Sequence, residues 1–220
     1  MARKRGYRRI IVSDISGAGR NRRPRTEGTS TTYIKNSIEM GGVLDFDRAF
    51  LDSFNRLGYL DAKRSFGRLL GYAYFVEPGP APDIRLPGAP PPFPERMRHD
   101  RNLALKLLEC AASILGVERV EAYSYGGLAA AIAERRATED ERIEETLAVK
   151  EEGLHGQVAR LREAIAEGRL DGCPYYYHRL VERLLPRTAG ELAEKALARL
   201  RPELPAGLAY LEAQPAQVSV

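Results

Sequence analysis

Residues 78–94, PGPAPDIRLPGAPPPFP, hold eight of the fourteen prolines of the chain. Proline fixes φ and removes a backbone donor, so this run excludes helix and central strand and reads as extended, largely polyproline-II chain. It separates two stretches with different patterning. The predicted class is therefore α+β and predominantly helical, with a small N-terminal sheet-containing part, a Pro-rich strap and a helical body. The expected divisions are a basic N-terminal arm with a short strand (1–26), a small α/β part (27–77), a Pro-rich linker or strap (78–98) and a helical domain (99–220).

C-terminal to the prolines, helical periodicity dominates. Residues 102–115 place Leu103, Leu107, Cys110, Ala111, Ile114 and Leu115 on a wide apolar face closed by Gly116. Residues 117–125 (VERVEAYSY) alternate with a period of two and predict a strand. After Gly126-Gly127, one long helix is expected from Leu128 to about Gly153, its later turns a solvated face of charged pairs. Residues 154–167, 175–185 and 188–200 predict further helices, the last with Thr188 as N-cap and Glu191 in the capping-box position. The tail from Pro202 is weakly apolar and broken.

N-terminal to the prolines, the β-branched run at 10–12 predicts a short strand, and TEGTSTT (26–32) a loop or extended segment. A short helix is expected over 33–40, stopped by Gly41-Gly42. Asp45 reads as the N-cap of a helix carrying Phe46, Ala49, Phe50 and Phe54, ended by Gly58. A second helix is expected from Asp61 to Leu70 with Phe66, Leu69 and Leu70 facing inward. The aromatic run at 72–76 predicts a strand pairing with residues 10–12.

Charge is unevenly placed. The chain carries 34 basic and 30 acidic residues, net +4. Residues 1–26 hold Arg3, Lys4, Arg5, Arg8, Arg9, Arg20, Arg22, Arg23 and Arg25 against Asp14 alone, net +8, which leaves −4 for the remainder. A concentrated positive arm on a mildly acidic body is the pattern of a polyanion-binding segment. Tyr7, set within RGYRR, is the stacking candidate among these residues. Arg96, Arg98 and Arg101, around His99, form a second basic patch. The Arg- and Glu-rich composition fits a thermophile. No apolar run is long enough to cross a bilayer, and IIV is too short for the core of a signal peptide.

The motifs for chemistry are sparse. Gly17-Ala18-Gly19 follows the first strand, but no third glycine and no GK[ST] follow, so neither nucleotide-binding fingerprint is met. The histidines His99, His155 and His178 have no metal-ligand spacing, and Cys110 and Cys173 form no framework. Cys110 reads as a buried thiol and Cys173, beside Pro174, as a turn residue. In the run Tyr175-Tyr176-Tyr177-His178-Arg179 the rings point in different directions on a helix, so at least one is expected in the core.

Asp14 in VSD (12–14), with Asp45 and Asp47 in DFD (45–47), loosely resembles the PIN/NYN type of nuclease. The resemblance implies metal-dependent phosphodiester hydrolysis by these carboxylates, with Asp52 or Asp61 as further candidates; the later acidic strand of such enzymes is missing. Capping and the first-turn dipole account for Asp45 and Asp47 without a metal.

The expected function is a non-catalytic, nucleic-acid-binding structural protein, such as a nucleocapsid-like coat or a ribonucleoprotein subunit. It would need no cofactor and no metal, would self-associate or join a larger nucleoprotein assembly, and would reside in the cytoplasm or in a virion or other particle. DNA and RNA both remain open. A metal-dependent nuclease and an adaptor docking a partner through its Pro-rich segment are the alternatives.

Overall fold

The computed structural model describes residues 5–14, 27–38, 48–148, 156, 158, 159, 161, 163 and 172–213. Among them run β1 (Arg9–Asp14), β2 (Ser30–Lys35), α1 (Arg48–Ser65), β3 (Phe75–Val76), a 3-10 turn (Glu95–Met97) and α2 (Leu103–Leu115). Then follow β4 (Ala122–Tyr123), α3 (Tyr125–Leu147), α4 (Pro174–Leu184), α5 (Arg187–Leu200) and α6 (Leu204–Ala213). The described chain is mostly helical, with a small two-stranded sheet near the N-terminus. Contacts divide it into two compact units, Met1–Pro78 with Arg119–Tyr123, and Gly79–Glu118 with Ser124–Val220.

In the first unit, β1 and β2 pair in parallel, Arg9 beside Ser30 through Asp14 beside Lys35. The helix expected over 33–40 is instead the second half of β2 in its first three residues. Thr31, Thr32, Tyr33 and Ile34 are β-branched or aromatic and fit the pleated surface beside β1 better than a helix turn. The strand expected over 72–76 shrinks to Phe75–Val76 and pairs in parallel with Ala122–Tyr123, not with β1. Leu70 closes a tight antiparallel bridge onto Val76 by two backbone hydrogen bonds of 2.7 and 3.0 Å.

Helix α1 runs through Gly58, where a stop was expected, and merges the two anticipated helices. A mid-helix glycine costs only about 1 kcal/mol relative to alanine. The flanking Leu57 and Leu60 are buried with Leu69 and Phe75 in the core of this unit, which outweighs that cost. The helix stops at Ser65. Gly67, at φ +70°, turns the chain so that the Arg68 N–H reaches back to the Lys63 carbonyl at 2.9 Å. This early turn leaves Leu69 buried but Phe66 exposed, contrary to the expected inward face. The N-cap role of Asp45 and the placement of Phe46 lie outside the described residues.

One buried carboxylate ties this unit together. Asp61 accepts hydrogen bonds from the Arg64 guanidinium at 2.7 Å and from the Ser37 N–H at 3.0 Å. The same guanidinium lies over the Phe75 ring, 4.6 Å from its centroid. Removing the carboxylate orphans the N–H of half-buried Ser37 and a largely buried cation. Asp61→Ala is therefore expected to cost about 2 kcal/mol, discounted because Arg64 keeps some solvent. Denaturant unfolding, with amide exchange read at Ser37 and along α1, checks this; an unchanged stability would contradict it.

The second unit is built on α2, which α3, α4 and α6 pack against. Asn102, expected as the first residue of the helical stretch, is its N-cap. Its Oδ1 accepts from the Leu105 N–H at 3.0 Å, and its Nδ2 donates to the Tyr125 hydroxyl at 2.7 Å, linking the starts of α2 and α3. Gly116 ends α2 at φ +67°. Helix α3 begins at Tyr125, three residues before the expected start, because Ser124 accepts from the Gly127 N–H and draws both glycines into the first turn. Of the strand expected over 117–125, Ala122–Tyr123 alone is realised. The charged half of α3 is not wholly a solvated face: Glu139 is buried between Arg135 at 2.9 Å and Arg142 at 3.3 Å.

Helix α5 starts at Arg187 after Pro186, without a side-chain cap, so Thr188 is inside the helix and Glu191 pairs with Arg187. Helix α6 was not expected at all. The described residues between 156 and 163 are helical, as expected over 154–167; the rest of that span lies outside the described residues. Residues 78–94 contain no helix or strand, and near their end the Lys106 ammonium sits over the Phe93 ring at 4.3 Å.

Both cysteines are free and buried. Burial pushes the Cys110 thiol up to about 12 and the Cys173 thiol up to about 11. The Cys173 Sγ also lies 3.3 Å from the Ile114 carbonyl, to which it donates. Neither is a thiolate near neutral pH, and the thiolate is the reactive form. An aromatic disulfide reagent at pH 8 is expected to label both only as fast as the protein opens. Rapid stoichiometric labelling of the native chain would contradict this.

Candidate nucleic-acid interface

The basic residues of the sequence fall into three groups. Arg5, Tyr7, Arg8 and Arg9 are described, and all are exposed. Tyr7 is 60 % exposed. They approach and enter β1, where alternation turns Arg9, Ile11 and Ser13 outward and leaves Ile10, Val12 and Asp14 half-buried. Gly6, at φ +82°, bends the chain just before Tyr7. Arg3 and Lys4, and the cluster Arg20, Arg22, Arg23 and Arg25 with Gly17-Ala18-Gly19 before it, lie outside the described residues.

Parallel pairing has a consequence for these groups. A strand that runs parallel to its predecessor must begin again at the same end. The Glu27–Thr29 turn therefore delivers Ser30 beside the start of β1, where its N–H donates to the Arg8 carbonyl at 2.8 Å. Arg25 precedes Glu27 by two residues in the chain. The sequence alone gave no sign of this return, because β2 was read as loop and helix.

Arg96, Arg98 and Arg101 are exposed on the 3-10 turn and the link to α2, in the second unit. Met97 between them is buried and meets the Cys110 sulfur at 3.8 Å, which anchors the turn with its arginines outward. The Arg98 Nε donates to the Phe93 carbonyl at 3.5 Å. Glu95 and Asp100 flank these arginines and dilute their field.

The nuclease candidates do not assemble among the described residues. Asp14 accepts a hydrogen bond from the Tyr33 hydroxyl across the β1–β2 pair. Asp61 is committed to Arg64 and Ser37, Asp52 is exposed on α1, and Asp45 and Asp47 lie outside the described residues. No group of three His, Cys, Asp or Glu side chains converges among the described residues.

The tyrosine run at 175–179 serves packing within the second unit. Tyr175 is buried and donates to Asp140 at 2.6 Å; burial, then that bond, pushes its hydroxyl up to about 12. The Tyr176 hydroxyl meets Thr146 at 3.0 Å, and Arg142 lies over its ring at 4.1 Å. His178 lies 3.6 Å from Glu182, yet burial holds its imidazole below the ordinary histidine value. These rings are held between helices, and a stacked base would have to displace them.

No helix among the described residues is long and apolar enough to cross a membrane. Compared with protein-family models, with curated proteins and with solved structures, the chain finds no match.

Proposed function

We propose that this chain is a non-catalytic nucleic-acid-binding protein that contacts phosphates through its Arg-rich N-terminal segment and acts structurally within a nucleoprotein assembly. The observation that carries the reading is the separation of charge: net +8 in residues 1–26 and −4 in the rest. Exposed Arg5, Arg8 and Arg9 at the head of β1, and the parallel return of the chain to that end, support it. The mechanism is charge neutralisation. Guanidinium groups replace condensed counterions on the phosphate chain, so affinity is salt-dependent and carries little sequence information. Arg96, Arg98 and Arg101 supply a weaker second contact. The helical body is available for packing between copies or partners, and residues 78–98 act as the link or strap. Such a protein works in the cytoplasm or in a virion or similar particle.

The test is the full-length chain against one lacking residues 1–7, which removes Arg3, Lys4, Arg5 and Tyr7 but keeps β1. Fluorescence anisotropy on a labelled polynucleotide is expected to lose about tenfold in affinity at moderate salt, with the circular-dichroism helix signal unchanged. Equal affinity of the two forms would remove the main support for the reading.

A further inference from the structure

The exposed side of α1 carries an open cleft of about 540 Å³ lined by Tyr59, Ala62, Lys63, Phe66 and Arg68. Tyr59 is 63 % exposed and Phe66 51 % exposed; with Tyr7 they are the most exposed aromatic rings among the described residues of the first unit. Tyr59 lies in the last turns of α1 and Phe66 in the turn that follows its end, and both line the cleft. Ala62 between them is small and leaves the floor of the cleft open. The Lys63 ammonium stands 5.4 Å from the centre of the Tyr59 ring. Neither Lys63 nor Arg68 forms an ion pair among the described residues, and no carboxylate lines the cleft among them.

We propose that this cleft stacks an unpaired base of a single-stranded nucleic acid, with Lys63 and Arg68 on the flanking phosphates. The proposal rests on the nucleic-acid-binding reading and narrows it to a substrate class. Two exposed rings call for a flat apolar surface, and two cations with no ion pair among the described residues call for negative charge beside it. A single strand offers both in every nucleotide, a π face and a phosphate. A duplex keeps its base faces stacked inside and offers the cations alone. A volume of this size falls within the usual range of small-ligand sites, roughly 300–1,000 Å³.

The chain contains no tryptophan, so Phe66→Trp in the full-length protein places its one indole at the cleft. The probes are an oligothymidylate single strand, a duplex of equal length and linear polyphosphate. Quenching of the indole by the single strand, and not by the other two, is the expected result. Tyr59→Ala and Phe66→Ala are each expected to weaken single-strand binding about tenfold while leaving duplex binding and the salt slope as they were. Both rings are exposed, so the variants are expected to keep the parent's thermal midpoint. Single-strand binding that persists with neither quenching nor loss in the variants overturns the cleft and leaves the basic segment standing. Equal quenching by duplex or polyphosphate also overturns the stacking role. No binding of any nucleic acid overturns both readings.

Discussion

Replacing Arg3, Lys4, Arg5, Arg8, Arg20, Arg22, Arg23 and Arg25 by glutamine in the full-length chain is expected to lower its affinity for nucleic acid by roughly three orders of magnitude near 0.1 M salt. Eight charges removed from +4 leave the chain at −4, so the remaining body repels the phosphate chain it formerly approached. Non-specific binders of this kind hold nucleic acid with dissociation constants of about 10⁻⁴ to 10⁻⁶ M, and such a loss takes binding out of measurable range. Substitution is preferable to cutting away residues 1–26, because that cut removes β1 and strips β2 of its partner. Gln for Arg keeps chain length and side-chain hydrogen bonding, which isolates charge. Neutralising Arg96, Arg98 and Arg101 instead is expected to cost no more than about tenfold, since Glu95 and Asp100 already offset part of that patch. Anisotropy titrations at fixed salt measure both; equal losses in the two variants would mean that the N-terminal segment has no special part.

Gly207→Val is expected to destabilise the second unit by about 3 kcal/mol. Gly207 lies in α6 where that helix crosses α2. A Cβ there would lie 2.7 Å from the Ile114 Cδ1 and 2.9 Å from the Cys110 carbonyl oxygen. The isoleucine end could rotate, but the carbonyl belongs to the buried middle of α2 and cannot yield without moving a helix. Even Gly207→Ala, which gains about 1 kcal/mol of helix propensity, is expected to come out destabilising. Gly190 supplies the contrast. It sits inside α5, and a Cβ there meets nothing nearer than the Leu185 carbonyl at 4.0 Å. Gly190→Ala is therefore expected to stabilise by about 0.5–1 kcal/mol. Denaturant midpoints of the two alanine variants should shift in opposite directions; a shared direction would contradict the close crossing of α6 on α2.

The elements legible in the sequence are those whose signals are local. Helix α2 announced itself through an apolar face and Gly116 at its end, and α4 through helical patterning over 175–185, although Pro174, read as part of the break before it, is its first residue. Helix α6 did not, because the prolines of the tail from Pro202 made it read as broken. In the structure Pro205 occupies the first turn, where its missing N–H costs nothing, and Gly207 serves contact with α2. Gly58 misled for the converse reason: burial of Leu57 and Leu60 carries α1 past it. Strand pairing was the least legible feature. Phe75–Val76 finds its partner at Ala122–Tyr123, 47 residues away in the chain, and no local pattern encodes such a choice. The basic residues of the candidate site were legible as composition, and the parallel pairing that sets Ser30 beside the start of β1 was not. The cleft beside α1 was missed because Phe66 was placed in the core; the i, i+4 spacing of Tyr59 and Lys63 on one helix face was the signal that pointed outward.

The most direct test of the account is the salt dependence of binding to a single strand, parent against the eight-glutamine variant. Each phosphate contact on a single strand contributes about −0.7 to the slope of log affinity against log salt. The parent is expected to show a slope steeper than about −3, and the variant a clearly shallower one at whatever salt it still binds. A shallow slope in the parent, or the same steep slope in both, would contradict the claim that the N-terminal arginines hold the phosphate chain.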